Sequence, residues 1–260
     1  LLMQNSYVII LAICMLLCII TGNVYLSVGS VVAFCGALCA ILVLDLGVPV
    51  PLAFFLVLLT GFVIGMWQGF FISKLHVPPF IVTLANMLIF RGLTMTILKG
   101  QTKGPLPEAY TMVGAGYLPT LFLPFGEGKI DLISIFAGVL ASICVVVMEM
   151  RSLSSKKKNG LETPPLWQTV LRLAIYIFLL NFIPTRLALY SGLPMVLLIM
   201  LRLILVYGFV TSRTVVGRQV YAVGGNKKAA ALSGIKTDKV MFWVYTNMSV
   251  LAALAGIVLS

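Results

Sequence analysis

Few side chains in this 260-residue chain have the type and spacing that metal binding or redox chemistry needs. Cys14 and Cys18 stand four residues apart in an apolar stretch, and so do Cys35 and Cys39. Residues at that spacing lie one turn apart on the same face of a helix. Cysteines in such positions are typical of small buried apolar side chains, and we predict neither a disulfide nor a metal site.

Catalytic motifs are also missing from the sequence. Its one histidine, His76, is followed by Pro78 and Pro79, and we interpret it as an interfacial residue. The chain contains no HExxH, GxSxG or GxxxxGK[ST] sequence. The nearest string to the last of these, Gly126 to Lys129, lacks both the glycine spacing and the hydroxyl residue. We therefore predict a protein that is not an enzyme, with no catalytic residue, metal or cofactor of its own.

The composition predicts the kind of secondary structure in which the remaining polar residues lie. Hydrophobic residues make up 61% of the chain and charged residues 10%, with a mean hydropathy of +1.12, whereas soluble domains have about 45–50% and 25%. A soluble enzyme is excluded, and an all-α, polytopic membrane protein is predicted. We predict eight spans, at about 5–21, 24–44, 52–73, 80–98, 131–148, 167–183, 193–211 and 240–260.

Positive charge predicts the orientation of these spans. Twelve of the 18 lysines and arginines fall on one predicted side, mainly in the loops after the fifth and seventh spans. By the positive-inside rule these loops are cytoplasmic, and the net charge of +11 indicates contact with lipid and not with nucleic acid. Residue 1 is then outside. Because the chain also begins without Met and stops within an apolar run, we expect a single membrane domain, 1–260, that is incomplete at both ends.

Small and charged residues within the spans indicate a crowded interior. Gly61, Gly65 and Gly69 form a doubled GxxxG pattern, which suits either packing within the chain or a seam between two copies. Arg91 and Arg202 fall deep in the fourth and seventh spans, where they are either structural or line a translocation path. No carboxylate lies near the centre of a span, which disfavours transport coupled to protons or sodium.

The predicted cytoplasmic segment 212–239 contains one short helix. Gly224, Gly225 and Asn226 are typical of a turn, and "KKAAALS" follows as a run of good helix formers that ends at Gly234. A helix of about two turns is not stable alone in water. It therefore lies either on anionic lipid or against a cytoplasmic partner protein.

Several strings in this chain resemble bacterial ABC-importer permeases for monosaccharides, in the ribose, xylose and galactose branch. They are "AVGGNKKAAALSGI", "ITGNVYLSVGSVVAFCGALCA", "PPFIVTLANMLIFRGLTMTILKGQTKGPLPEA" and "GRQVYAVGGN". The basic stretch "RSLSSKKKNGLETPPLW" is similar to the multiple-monosaccharide and xylose permeases in particular. The chain departs from the family pattern at two positions, with Tyr25 in place of Asp and Lys228 in place of Glu.

The resemblance implies a permease subunit that moves a monosaccharide across the bacterial inner membrane. Its partners would be a separate ABC ATPase subunit, which binds the ATP, a periplasmic sugar-binding protein, a second permease copy and membrane lipid. The outer loop 99–130 would contact the binding protein. The coupling residues would be Gly224, Gly225, Asn226, Lys228, Ala229, Ala230 and Gly234, and the weaker candidates for the substrate pathway are Asn23, Tyr25, Ser27, Ser30, Arg91 and Thr94.

Two other functions stay open at this stage. The chain could be an ion-coupled carrier or facilitator that works alone, in which case it would move sugar without an ATPase. It could also be a non-transporting remnant of a permease, with a structural role at most.

Overall fold

The structure is a computed structural model that describes residues 5–114, 116–117, 122–125, 128–131, 166–188 and 194–260. Between 131 and 166 it describes only positions 136, 139, 142, 143, 145–147, 149–151 and 153. The helices are α1 (Ser6–Ile20), α2 (Val28–Leu44), α3 (Val50–Ser73), α4 (Pro79–Leu98), α5 (Glu108–Gly114), α6 (Leu166–Ala188), α7 (Met195–Arg213), α8 (Val215–Gly225), α9 (Lys227–Leu232) and α10 (Thr237–Leu259).

The chain divides into two units. The larger unit holds Leu1–Gly116 and Met195–Ser260. The smaller unit, Tyr117–Pro194, contains α6 and an antiparallel pair of strands, β1 (Phe122–Phe125) and β2 (Gly128–Asp131). In the smaller unit Arg172 also forms an ion pair with Glu149.

Apolar helices dominate the structure, as the composition predicts. Four of the described helices, α3, α4, α7 and α10, are long and apolar enough to cross a membrane, while α1 and α2 are apolar but shorter. The prediction of eight spans is therefore not confirmed. Two boundaries also differ, since Asp131, where the fifth span was expected to begin, ends β2, and α6 continues through Pro184 to Ala188. Most of the fifth predicted span lies outside the described residues.

Helix α10 is the central element of the larger unit and packs most extensively against α3. Gly61, Gly65 and Gly69 face it, and a Cβ added at Gly65 would lie 2.6 Å from the Cα of Thr246. Added at Gly61, it would lie 2.8 Å from the carbonyl oxygen of Ser249. Backbones that approach so closely gain dispersion contacts, which replace the hydrophobic driving force that lipid does not supply. The doubled GxxxG pattern thus forms a seam within the chain, which we call the α3–α10 seam.

The two ends of the larger unit differ in their contents. One end, which we call the basic end, contains the α3–α4 loop, α8, α9 and the start of α10, and thus Lys74, Lys227, Lys236 and Lys239. At the other end, an ion pair joins Lys103 to Asp45, and α5 packs on the last turn of α10. There the Tyr110 oxygen is 2.6 Å from Ser260 Oγ, and burial raises the pKa of Tyr110, which keeps the hydroxyl protonated.

Candidate functional site

The short helix predicted in segment 212–239 is present as α9, and its sequence explains both of its ends. Asn226, in an extended conformation, begins the helix and accepts a hydrogen bond from the backbone N–H of Ala229 at 3.0 Å. At the other end, Gly234 N–H donates to Ala231 O and Ile235 N–H donates to Ala230 O, at 3.0 and 3.1 Å. These two bonds form a Schellman motif, which requires the left-handed φ of +85° found at Gly234.

Helix α9 is held on one side and exposed on the other. Ala230 is 4% exposed and belongs to an apolar cluster with Val220, Val223 and Met241. In contrast, Leu232 is 90% exposed, and Lys227, Lys228 and Ala229 are exposed as well. The structure thus presents a capped helix with an apolar tip and two lysines on its free face.

The turn predicted at Gly224 and Gly225 is wrong, because both residues lie in the last turn of α8. Gly224 is needed for packing instead. A Cβ there would lie 1.9 Å from the carbonyl oxygen of Ile20, so α8 can approach the end of α1 only with glycine at this position. Gly225 has open space around its Cα. The break between α8 and α9 comes after them, at the extended residue Asn226.

A cavity of about 210 Å³ lies at the basic end. It is lined by residues of α8, α9 and α10, of the α1–α2 turn, and of the α3–α4 loop with the helix ends beside it. Beside the cavity, Asn23 Nδ2 donates to Thr21 O and Thr21 Oγ1, each at 3.0 Å, which fixes the α1–α2 turn. His76 Nε2 lies 3.6 Å from Asp238 Oδ2 and so links the α3–α4 loop to the start of α10. The cavity is lined by Thr21, Asn23, Ile72, His76, Val77, Pro78, Pro79, Val223, Lys227 and Met241.

Two of the predicted pathway residues lie in a buried polar cluster between helices. The hydroxyl oxygens of Tyr25 and Ser249 are 2.9 Å apart, and Gln68 Nε2 donates to Ser27 Oγ at 3.1 Å. All four side chains are buried, and among the described residues Gln68 Oε1 has no hydrogen-bond partner. A buried polar atom without a partner is costly in apolar surroundings, and a hydroxyl-bearing ligand could satisfy it.

The other four pathway candidates do not join this cluster. Arg91 is exposed on α4, and Thr94 donates to Phe90 O on its own helix at 2.6 Å. Asn23 lies at the basic end, and Ser30 is half-buried in the first turn of α2. The six candidates are thus not gathered in one place in the larger unit, and their assignment to a substrate pathway stays a prediction.

Sequence reasoning missed Gln68 and Ser249, and it also missed Asn86, which is 3% exposed and whose Nδ2 has no hydrogen-bond partner within the described ranges. Their positions could have indicated these residues, because Gln68 adjoins Gly69 in the sequence and Ser249 lies on the helix that the glycines contact. Within the described ranges, no three His, Cys, Asp or Glu side chains come together as a metal site needs.

Helices long and apolar enough to cross a membrane, with a buried polar cluster between them, define a class, the polytopic helical membrane proteins. More particularly, the chain belongs to the family described as the branched-chain amino acid transport system permease component, whose model matches residues 1–260. No solved structure matches it.

Curated relatives of the chain are sugar permeases. It is 35% identical to the xylose transport system permease protein XylH of Escherichia coli (strain K12). The match extends over 260 residues, which are 100% of the chain and 63% of XylH. It is 28% identical to the fructose import permease protein FruG of Bifidobacterium longum, over 98% of the chain and 56% of FruG. It is 29% identical to the ribose import permease protein RbsC of Bacillus subtilis, over 93% of the chain and 53% of RbsC. The chain thus spans about half to two thirds of the length of these relatives.

Proposed function

We propose that this chain is the membrane-spanning part of an ATP-binding-cassette importer that carries a monosaccharide across a bacterial inner membrane. Three relatives are named for the transport or import of xylose, fructose and ribose. Neutral sugars are recognised by hydroxyl and amide groups, and the cluster of Tyr25, Ser27, Gln68 and Ser249 supplies such groups inside the helix bundle. On this proposal the basic end is cytoplasmic.

The observation that carries the proposal is the exposed face of α9. In this scheme a separate ATPase subunit binds ATP and contacts Leu232, Lys227 and Lys228, a periplasmic binding protein delivers the sugar, and a second copy of the chain completes the pathway. Helix α9 packs on α8 and α10, so a displacement of α9 moves both. Because α10 is joined to α3 along the α3–α10 seam, that displacement reaches Ser249 and the polar cluster.

Association with the ATPase subunit tests this proposal. Gly234→Ala forces a side chain into the left-handed region, at a cost of about 1–2 kcal/mol, and Asn226→Ala removes the cap, at about 1 kcal/mol. Both changes fray a helix of only six residues. We expect each to weaken binding of the ATPase subunit roughly tenfold, since about 1.4 kcal/mol corresponds to that factor. Binding would be measured by titrating labelled ATPase subunit onto the chain in nanodiscs.

Gly47→Ala is the matched control. Gly47 also has a positive φ, of +62°, and open space around it, but it follows α2 at the opposite end of the unit. It carries the same backbone strain and should leave ATPase binding unchanged. If Gly234→Ala and Asn226→Ala bind the ATPase as tightly as Gly47→Ala, α9 is not the coupling element. Sugar uptake into vesicles that contain no ATPase would instead favour a carrier that works alone.

A further inference from the structure

A wide groove at the basic end is not explained by the proposed function. It has a volume of about 830 Å³ and lies between α7, α8 and α10. Its walls are apolar and are formed by valines from all three helices, namely Val206, Val210, Val216, Val220, Val240 and Val244. Val206 and Val216 are 47% and 55% exposed, so the groove is open along one side.

The charges of the groove are confined to one end. Lys236 and Lys239, both exposed, line its mouth at the start of α10, with Gln219 of α8 beside them. Asp238 lies between these lysines in the sequence but does not line the groove, and its carboxylate is directed to His76. The mouth therefore carries two positive charges without a lining carboxylate, which is complementary to an anionic group.

The depth of the groove matches one leaflet of a membrane. From Lys236 to Asn247, which lies at the inner end with Tyr207, α10 advances eleven residues, or about 16 Å. Half of a bilayer's hydrocarbon core is about 15 Å. Trp243 lies between these ends, about 10 Å along α10 from Lys236, and is 49% exposed. At the inner end Tyr207 donates to Asn247 Oδ1 at 2.5 Å, while the buried Asn247 Nδ2 has no hydrogen-bond partner in the described part of the chain.

From this arrangement we infer that the groove between α7, α8 and α10 binds an anionic phospholipid of the cytoplasmic leaflet. The phosphodiester contacts Lys236 and Lys239, and one acyl chain lies along the valines towards Asn247. This site is distinct from the free face of α9, and the inference does not depend on ATPase binding. It requires only that the basic end faces the anionic leaflet.

Trp243 provides a direct measurement. In a Trp67→Phe, Trp167→Phe background, Trp243 is the only tryptophan, since the chain has three. Brominated phosphatidylglycerol, titrated into nanodiscs of phosphatidylcholine, should quench its fluorescence at much lower fractions than brominated phosphatidylcholine does. Lys236→Gln with Lys239→Gln should weaken this binding about 30-fold, which corresponds to about 1 kcal/mol for each lysine.

Two further variants distinguish binding in the groove from attraction of lipid by the general surface charge. Arg213→Gln with Arg218→Gln removes the same charge from neighbouring exposed residues that do not line the groove, and should change binding less than threefold. Val206→Phe fills the groove from a half-exposed position and should weaken binding of phosphatidylglycerol at unchanged charge. The melting temperature of each variant confirms that it is folded.

Four results would overturn the inference. They are equal losses in the arginine and lysine pairs, equal quenching by the two brominated lipids, displacement of phosphatidylglycerol by millimolar inorganic phosphate, and unchanged lipid binding in Val206→Phe. If Val206→Phe weakens ATPase binding but not lipid binding, the groove belongs to a protein partner. The Gly234→Ala variant tests the proposed function independently of the lipid site, because its effect is measured as ATPase binding alone.

Discussion

Replacing Gly65 with alanine should destabilise the protein, although alanine is the better helix former. The added Cβ would lie 2.6 Å from Thr246 Cα and 2.7 Å from Thr246 O. Ordinary van der Waals contact begins near 3.4 Å, and both partner atoms belong to backbone, which cannot rotate away. Helices α3 and α10 must therefore separate by about 0.8 Å at this point.

This separation of the helices changes the free energy of unfolding. A gap of 0.5–1 Å forfeits about a quarter to a half of the dispersion energy of the contacts it opens, and overpacking of this kind costs about 1–3 kcal/mol. The helix propensity of alanine returns at most about 1 kcal/mol. We expect a net loss of up to about 2 kcal/mol in the free energy of unfolding, which lowers the melting temperature by up to about 8 °C in a protein of this size.

Thiol labelling during a thermal ramp measures this loss. Cys14, Cys18, Cys35 and Cys39 are free and fully buried. In a Cys144→Ala background, which removes the fifth cysteine, a thiol-reactive dye reports their exposure as the unit unfolds. The control is Gly92→Ala on α4, where nothing lies within 4 Å of the added Cβ. That variant should melt at or slightly above the temperature of the original chain. If Gly65→Ala melts together with Gly92→Ala, the α3–α10 seam is not as close as described and the reasoning fails.

Two further changes test the packing around the polar cluster and the basic end. Tyr25→Phe removes the hydrogen bond to Ser249 and should lower the free energy of unfolding by about 1 kcal/mol in the same thiol assay; no change would mean that this bond is not formed. Gly224→Ala places a Cβ 1.9 Å from Ile20 O and should lower the melting temperature clearly, whereas Gly225→Ala, one residue later and in open space, should not; equal melting of the pair would contradict the close contact of α8 with α1.

Features with local causes are the ones that the sequence predicts well. Helix α9 and its cap at Asn226 follow from side chains within three residues of each other, and Gly234 ends the helix because of its own backbone freedom. The start of α4 is similar, since Pro79 is its first residue and proline suits the first turn of a helix.

Features that depend on a distant partner are not predictable from one sequence. The spacing of Gly61, Gly65 and Gly69 indicates a close neighbour, but the choice between α10 and a second copy is made by tertiary packing. Gly224 is a second example. A pair of glycines before an asparagine is typical of a turn, but Gly224 lies in α8, where it contacts the end of α1. The polar cluster escaped prediction because Tyr25 and Ser249 are 224 positions apart.

The length of α10 has a mechanical consequence. Its 23 residues extend about 34 Å, from the side of α9 to the side of Tyr110. Since glycine-to-backbone contacts with α3 leave little freedom to bend or slide, the helix behaves as a stiff rod supported along its length. If α9 is displaced as the proposed function requires, such a rod would deliver the displacement to the opposite end of the unit as a tilt, without a relay of side-chain rearrangements.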